Sequence, residues 1–219
     1  MKKPFVLAAA AILYSSIVFG QGQSNSDDDA INAFDNKGSK AFEVLEQSGK
    51  ISGCVLSYNY SYRDYKNNKG NLIQVLGNIR TFVLNRPSFN LMTDVTATDI
   101  TFGNDGKLTG RKFRPAYFSL SSEGQNLDKY KKPVADCFGD QNKLCNVFVD
   151  DRDASLVLQI LKSTFKPMEV AITTVENGYD KKIDLDSLDE SDKSKPIAYD
   201  SKFEFFRCIA RIVDTWKKH

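Results

Sequence analysis

Four cysteines limit the folds open to this 219-residue chain more than any other feature of its sequence. They lie at positions 54, 137, 145 and 208. In an oxidising compartment an even number of cysteines indicates disulfides, and four cysteines allow three pairings. Cys137 and Cys145 enclose a short loop rich in turn-forming residues, so we pair them, and Cys54 then pairs with Cys208. The alternatives are four free buried thiols, which fit a cytosolic protein, and a zinc site, for which the chain lacks any Cys-x-x-Cys pair.

The first twenty residues have the pattern of a secretory leader. A lysine pair is followed by an apolar run and then by small residues up to Gly20. We predict cleavage before Gln21; the alternative, an uncleaved anchor, is disfavoured because the stretch is short for a membrane span. The leader predicts a periplasmic or secreted protein without stable membrane insertion, and the Met-Lys-Lys start suggests a bacterial source.

The charge balance argues against nucleic acid as a partner. The whole chain has 30 basic and 28 acidic side chains. Removing residues 1–20 removes two lysines and no acid, which leaves 28 of each sign. A neutral chain has no long-range field that would steer it onto nucleic acid or an anionic membrane.

The lone histidine, His219, removes most familiar catalytic arrangements from consideration. Without an internal imidazole the chain cannot form a Ser-His-Asp triad or a His-ligated zinc centre. The sequence Ser163-Thr-Phe-Lys166 matches a Ser-x-x-Lys motif, but the partner motifs of that chemistry are missing, and we interpret the match as chance. We therefore assign no catalytic residue and no cofactor.

Hydrophobic periodicity predicts a mainly β, α+β fold. After a loose polar segment at 21–29, we expect residues 30–219 to form a single disulfide-stabilised domain, an antiparallel β-sandwich with an N-terminal helix, one inserted helix and a C-terminal helix. The N-terminal helix is predicted from the spacing of Ile31, Phe34, Phe42 and Leu45, with Ser48-Gly49 as its stop. Residues 72–84 fit both helix and strand, and Gly77 with the β-branched content favours a strand with a bulge.

Acidic residues near the C-terminus offer oxygen ligands of the kind that calcium prefers. Asp184, Asp186 and Asp189 are weak calcium candidates in a secreted protein. The cluster lacks the Asp-x-Asp-x-Asp-Gly frame of a calcium loop, so the favoured interpretation is a solvated charged loop.

Two groups of residues are candidates for an interaction surface. Arg111, Lys112 and Arg114 would bind an acidic partner, with solubilising edge protection as the favoured alternative. A second group alternates along one strand and would form an aromatic contact surface, although half-buried packing is favoured for such residues; it consists of Tyr58, Tyr60 and Tyr62.

The C-terminal half resembles the invasion-associated locus B family of exported bacterial proteins. The similar features begin with the spacing from Cys137 to Cys145 and the following Val-Phe-Val; further along they are the helix at 154–165, the strand starting at Met168, the Lys-Ile-Asp-Leu stretch at 182–185 and a last helix. Gly53-Cys54-Val-Leu-Ser57 is similar to that family's early cysteine segment. The resemblance implies an exported β-sandwich linked to host-cell interaction, with no catalytic residues to carry over.

Three hypotheses for function follow. The first is an exported envelope protein that acts by binding another protein. The second is a periplasmic inhibitor or immunity protein that neutralises a toxin or an envelope hydrolase. The third is an envelope hydrolase that works without histidine.

Overall fold

The computed structural model describes residues 35–64, 71–82, 89–102, 107–132, 134, 137, 139–150, 155–173 and 180–217. The predicted leader at 1–20, the polar segment at 21–29 and the beginning of the predicted first helix lie outside the described residues. The described chain is mostly β-strand.

Within the described residues the regular elements are twelve strands and two α-helices, joined in places by short 3-10 turns. In chain order they are β1 (Lys37–Gln47), β2 (Lys50–Asp64), β3 (Asn71–Phe82), β4 (Phe89–Phe102), β5 (Leu108–Phe113), β6 (Tyr117–Ser122), β7 (Gln125–Asn126), β8 (Lys131–Lys132), β9 (Leu144–Asp150), α1 (Ser155–Lys162), β10 (Met168–Thr173), β11 (Asp180–Asp184), β12 (Asp189–Glu190) and α2 (Ser201–Lys217). The 3-10 turns are Leu127–Tyr130, Ser163–Phe165 and Leu185–Ser187.

The strands form two sheets in a sandwich-like arrangement, as the sequence predicts. The larger sheet has the order β12-β1-β2-β3-β4-β9-β8, with β5 also paired to β4, and the smaller has the order β11-β10-β6-β7. All neighbours are antiparallel except β12 and β1, which are parallel. Long consecutive strands joined by hairpins explain this pattern, because antiparallel neighbours need only short connections.

The predicted N-terminal helix is wrong over the described residues, since 37–47 form strand β1. Ser48 and Gly49 do not end a helix; both have positive φ, and Gln47 pairs with Lys50 across them, so they form a two-residue hairpin turn. Residues of one parity in β1 face the core, among them Phe42 and Val44. Pairing with the fifteen-residue β2 therefore overrides the approximate helical spacing.

Residues 71–82 form strand β3, which confirms the preference for a strand over a helix. The predicted bulge is absent, because β3 pairs in continuous register with both β2 and β4. Gly77 is needed for another reason: a Cβ added there would overlap the Tyr58 ring. The glycine makes room for an aromatic side chain of the neighbouring strand.

A single hydrophobic core joins both sheets and both helices. It contains Leu56 and Ile79 from the larger sheet, Val170 from the smaller one, Ile160 of α1 and Ile209 of α2. Within the described residues no helix is long and apolar enough to cross a membrane.

Two disulfides hold the chain, in the pairing proposed from loop length. Cys54 of β2 is joined to Cys208 of α2, with 6.1 Å between the Cα atoms, and Cys137 is joined to Cys145 at the start of β9. Disulfides of this kind are typical of proteins outside the cytosol.

A helix cap and ion pairs also fix the N-terminus of α2. Asp200 caps the helix by accepting hydrogen bonds from the backbone N–H groups of Lys202 and Phe203. The buried Lys40 ammonium of β1 lies 3.3 Å from Asp200 Oδ1 and 3.9 Å from Glu190 Oε1. The first and last elements of the described chain are thus joined at this end of the molecule as well.

Candidate functional site

Strand β4 of the larger sheet changes its pairing partner at Thr96, and we call this point the fork. Strand β4 pairs with β9 from Phe89 to Val95 and with β5 from Ala97 to Phe102. Thr96 lies between the two partners, and its Oγ1 donates a hydrogen bond to the Asn142 carbonyl at 2.8 Å. The cysteine loop that leads into β9 therefore fills the fork.

A cleft of about 140 Å³ opens beside this fork. It is lined by Arg114, Val134, Cys137, Asp140, Gln141, Lys143 and Cys145. The Cys137–Cys145 disulfide fixes the loop that forms one wall, and Asp140 accepts a hydrogen bond from the Asn142 N–H within that loop. The lining is mostly polar, with the cations of Arg114 and Lys143 against the single carboxylate of Asp140, so the cleft suits an anionic group better than an apolar one.

A buried carboxylate orders the cations next to the cleft. Asp94 is 2% exposed and lies 3.0 Å from Arg80 Nη2 and 3.9 Å from Lys143 Nζ. Asn78 Nδ2 donates to the same carboxylate at 2.8 Å, and the Ser57 hydroxyl donates to Asn78 Oδ1 at 2.7 Å. A hydrogen-bonded row therefore crosses three strands and holds Lys143 where it lines the cleft.

The predicted basic group lies on β5 and just beyond it. Arg111, Lys112 and Arg114 are all exposed, and β5 pairs only with β4 among the described strands. Lys112 pairs with Thr98 and Arg111 with Asp99, so Asp99 is the acid placed directly across from this group. Arg114 reaches the cleft, while Arg111 and Lys112 follow the free edge of the strand.

The tyrosine group is not a contact surface. Tyr58, Tyr60 and Tyr62 are 3%, 9% and 2% exposed and belong to the core. The Lys181 ammonium of β11 lies 5.4 Å and 5.3 Å from the ring centroids of Tyr60 and Tyr62. Burial lowers the pKa of Lys181 and raises that of Tyr60. These tyrosines alternate along the face of β2 that packs against the core, and this explains why they are buried and do not form an exposed contact surface.

The calcium candidates are not brought together as a ligand set. Asp184 caps a 3-10 turn by accepting the Asp186 N–H, Asp186 pairs with Lys202, and the exposed Asp189 lies 3.9 Å from Lys193. No group of three His, Cys, Asp or Glu side chains that could hold a metal occurs among the described residues. Local capping and ion pairing account for these acids.

The Ser-x-x-Lys match is divided between the interior and the surface. Ser163 is fully buried, and its hydroxyl hydrogen-bonds to that of Ser122, whereas Lys166 is exposed. A buried serine separated from its lysine in this way is not an accessible nucleophile.

Sequence reasoning missed Asp94 and the fork. Strand β4 continues unbroken from residue 89 to residue 102, past the point where its partner changes. The signal was present, because this stretch contains no glycine or proline. The partners of Asp94, namely Arg80 and Lys143, lie far from it in sequence, and no local pattern indicates them.

Comparison with protein-family models, curated proteins and solved structures finds no match. The resemblance to the invasion-associated locus B family therefore remains a hypothesis, and function has to be argued from the geometry of this chain.

Proposed function

We propose that this chain is an exported bacterial envelope protein, in the periplasm or secreted, that acts by binding another protein. The observation that carries the proposal is the basic free edge of β5 beside the polar cleft. Residues 107–116 contain four basic residues and no acidic one. A partner of matching chemistry is an extended acidic segment.

The mode of binding follows from the geometry of the edge. A strand that is paired on one side leaves backbone N–H and C=O groups available, and an extended segment pairs with them while its side chains confer specificity. Carboxylates of the segment face Lys112 and Arg114, and one carboxylate enters the cleft between Arg114 and Lys143. Guanidinium groups suit such contacts because they bind carboxylates with two parallel hydrogen bonds.

The experiment compares two charge reversals of equal size. The purified protein is titrated with a short peptide of alternating glutamate and valine. We expect Lys112→Glu/Arg114→Glu to weaken binding by roughly tenfold, and the matched control Lys37→Glu/Lys50→Glu, at exposed sites on β1 and β2, to leave it unchanged. Equal losses in both variants, or no peptide binding by the wild type, would overturn the proposed edge.

The same variants serve in capture from envelope extract. A partner retained by the wild type and by the Lys37/Lys50 control, and lost from the Lys112/Arg114 variant, supports protein binding through β5. If that partner is a toxin or hydrolase whose activity the protein abolishes, the function is inhibition, the second hypothesis from the sequence.

A further inference from the structure

Two phenylalanine side chains, of a residue type that is usually buried, lie on the surface. Phe165 is 86% exposed and Phe203 is 40% exposed, and their ring centroids are 6.2 Å apart. Leu158 of α1 is 57% exposed. We call Leu158, Phe165 and Phe203 the Phe165 patch. It is independent of β5 and of the function proposed for that strand.

The end of α1 explains why Phe165 faces outward. Within the helix the side chains of Leu156 and Ile160 lie one turn apart on the buried face, and Leu158 lies on the opposite, exposed face. The chain ends α1 at Lys162 and places Phe165 in a 3-10 turn before Pro167. The aromatic ring therefore projects from the end of the helix.

The surroundings of the patch on this segment are basic. Residues 155–167 contain two lysines, Lys162 and Lys166, and no acid. Both lysines are exposed, and neither ammonium makes an ion pair within the described part of the chain. On α2, by contrast, Arg207 next to the patch is neutralised by Glu204 at 3.0 Å.

We propose that the Phe165 patch binds an anionic membrane surface. A projecting phenylalanine flanked by lysines matches the chemistry of a lipid interface, where the ring enters the boundary between headgroups and acyl chains and the ammonium groups meet lipid phosphates. A protein partner is the competing occupant, and the experiment below separates it from a membrane surface. Contact through one ring and two lysines gives reversible adsorption, not insertion.

The test is co-sedimentation of the disulfide-bonded protein with lipid vesicles. We expect binding to vesicles that contain phosphatidylglycerol and none to vesicles of phosphatidylcholine. Phe165→Ser and Lys162→Glu/Lys166→Glu should each lower the bound fraction by roughly tenfold. Because these side chains are exposed, thermal unfolding should be unchanged, which separates lost binding from lost folding.

Matched variants make the result specific. Lys37→Glu/Lys50→Glu changes the net charge equally and should leave vesicle binding intact, as should Lys112→Glu/Arg114→Glu, which tests β5 alone. Phe165→Trp in a Trp216→Phe background should show a blue-shifted emission with anionic vesicles. Absence of binding by the wild type, an equal loss in the Lys37/Lys50 variant, or an unshifted emission would overturn the proposal. Binding of the patch to an envelope protein in place of vesicles would overturn it as well.

Discussion

The hydroxyl of Tyr58 enters the core without a hydrogen-bond partner among the described residues. Burial, and to a smaller extent the negative charge of Asp94, raises the pKa of Tyr58 well above 10.0. In the unfolded chain the same group ionises near pH 10. Above that pH the unfolded state therefore releases a proton that the folded state keeps, and the free energy of unfolding falls as the pH rises.

Replacing Tyr58 by phenylalanine should remove this alkaline decrease in the free energy of unfolding. Below pH 10 we expect Tyr58→Phe to unfold at the same denaturant concentration as the wild type or a higher one, because no hydrogen bond is broken. Between pH 10 and 11 the wild type should lose about 1 kcal/mol more than the variant. Urea unfolding at a series of pH values measures both quantities. Parallel pH profiles for wild type and Tyr58→Phe would contradict the prediction.

Single residues also show what a sequence pattern can indicate. Alternation along β2 predicted that Tyr58, Tyr60 and Tyr62 share a face, and burial of that face was the favoured interpretation. The burial of Lys40 and Asp94 was not predictable, because each charge is compensated by groups distant in sequence: Asp200 for Lys40 and Arg80 for Asp94. Periodicity describes the face of an element, whereas these pairs depend on which elements meet.

Among the elements, the β1–β2 hairpin shows how one turn decides between helix and strand. Ser48 has a φ of 54° and Gly49 a φ of 73°. Two consecutive positive φ values in a two-residue loop match the twist of antiparallel strands. Serine followed by glycine was interpreted as a helix end, since glycine with positive φ is common there too. The register of the following strand, which the turn sets, distinguishes the two and is not visible locally.

The turn should respond in opposite directions to two substitutions. Ser48→Asn should stabilise the protein by up to about 1 kcal/mol, because asparagine adopts positive φ more readily than serine. Gly49→Ala should destabilise it by about 1 kcal/mol for the converse reason, although nothing lies within 4 Å of an added Cβ. Thermal unfolding of the two variants tests the conformation directly. A neutral Gly49→Ala would show that the turn does not hold positive φ in solution.

The bounds of the inserted helix were predictable to within one turn, but the exposure of the residues at its C-terminal end was not. Leu156, Val157 and Ile160 form a buried stripe at helical spacing, whereas Phe165, at the end of the same segment, is exposed. The transition from α-helix to 3-10 turn after Lys162 lies at the boundary where local patterns are least informative. The most exposed aromatic side chain among the described residues is therefore one that hydrophobicity alone assigns to the core.

At the scale of the whole molecule, the first two strands of the described chain are held to its last helix. Strands β1 and β2 pack against α2, and Lys40 and Cys54 are each linked to groups near residues 200–208. The other disulfide closes only the loop beside the sheet fork. The two bonds thus differ mainly in the length of chain that they constrain, which is 154 residues for one and 8 for the other.

This difference predicts unequal effects when each disulfide is removed. In the chain-entropy model the free energy lost grows with the logarithm of loop length, which gives about 5 kcal/mol for Cys54→Ala/Cys208→Ala and about 2.5 kcal/mol for Cys137→Ala/Cys145→Ala. Because Cys54 and Cys208 are buried in the core, the first pair also leaves a small void that adds to its loss. Urea unfolding followed by far-UV circular dichroism measures both values. The Cys137/Cys145 variant should keep a folded core, but the cleft loses its fixed wall. We therefore expect its affinity for the acidic peptide to fall even under conditions where the variant remains folded. Equal stability losses in the two variants would show that native packing, and not chain connectivity, sets the contribution of each bond.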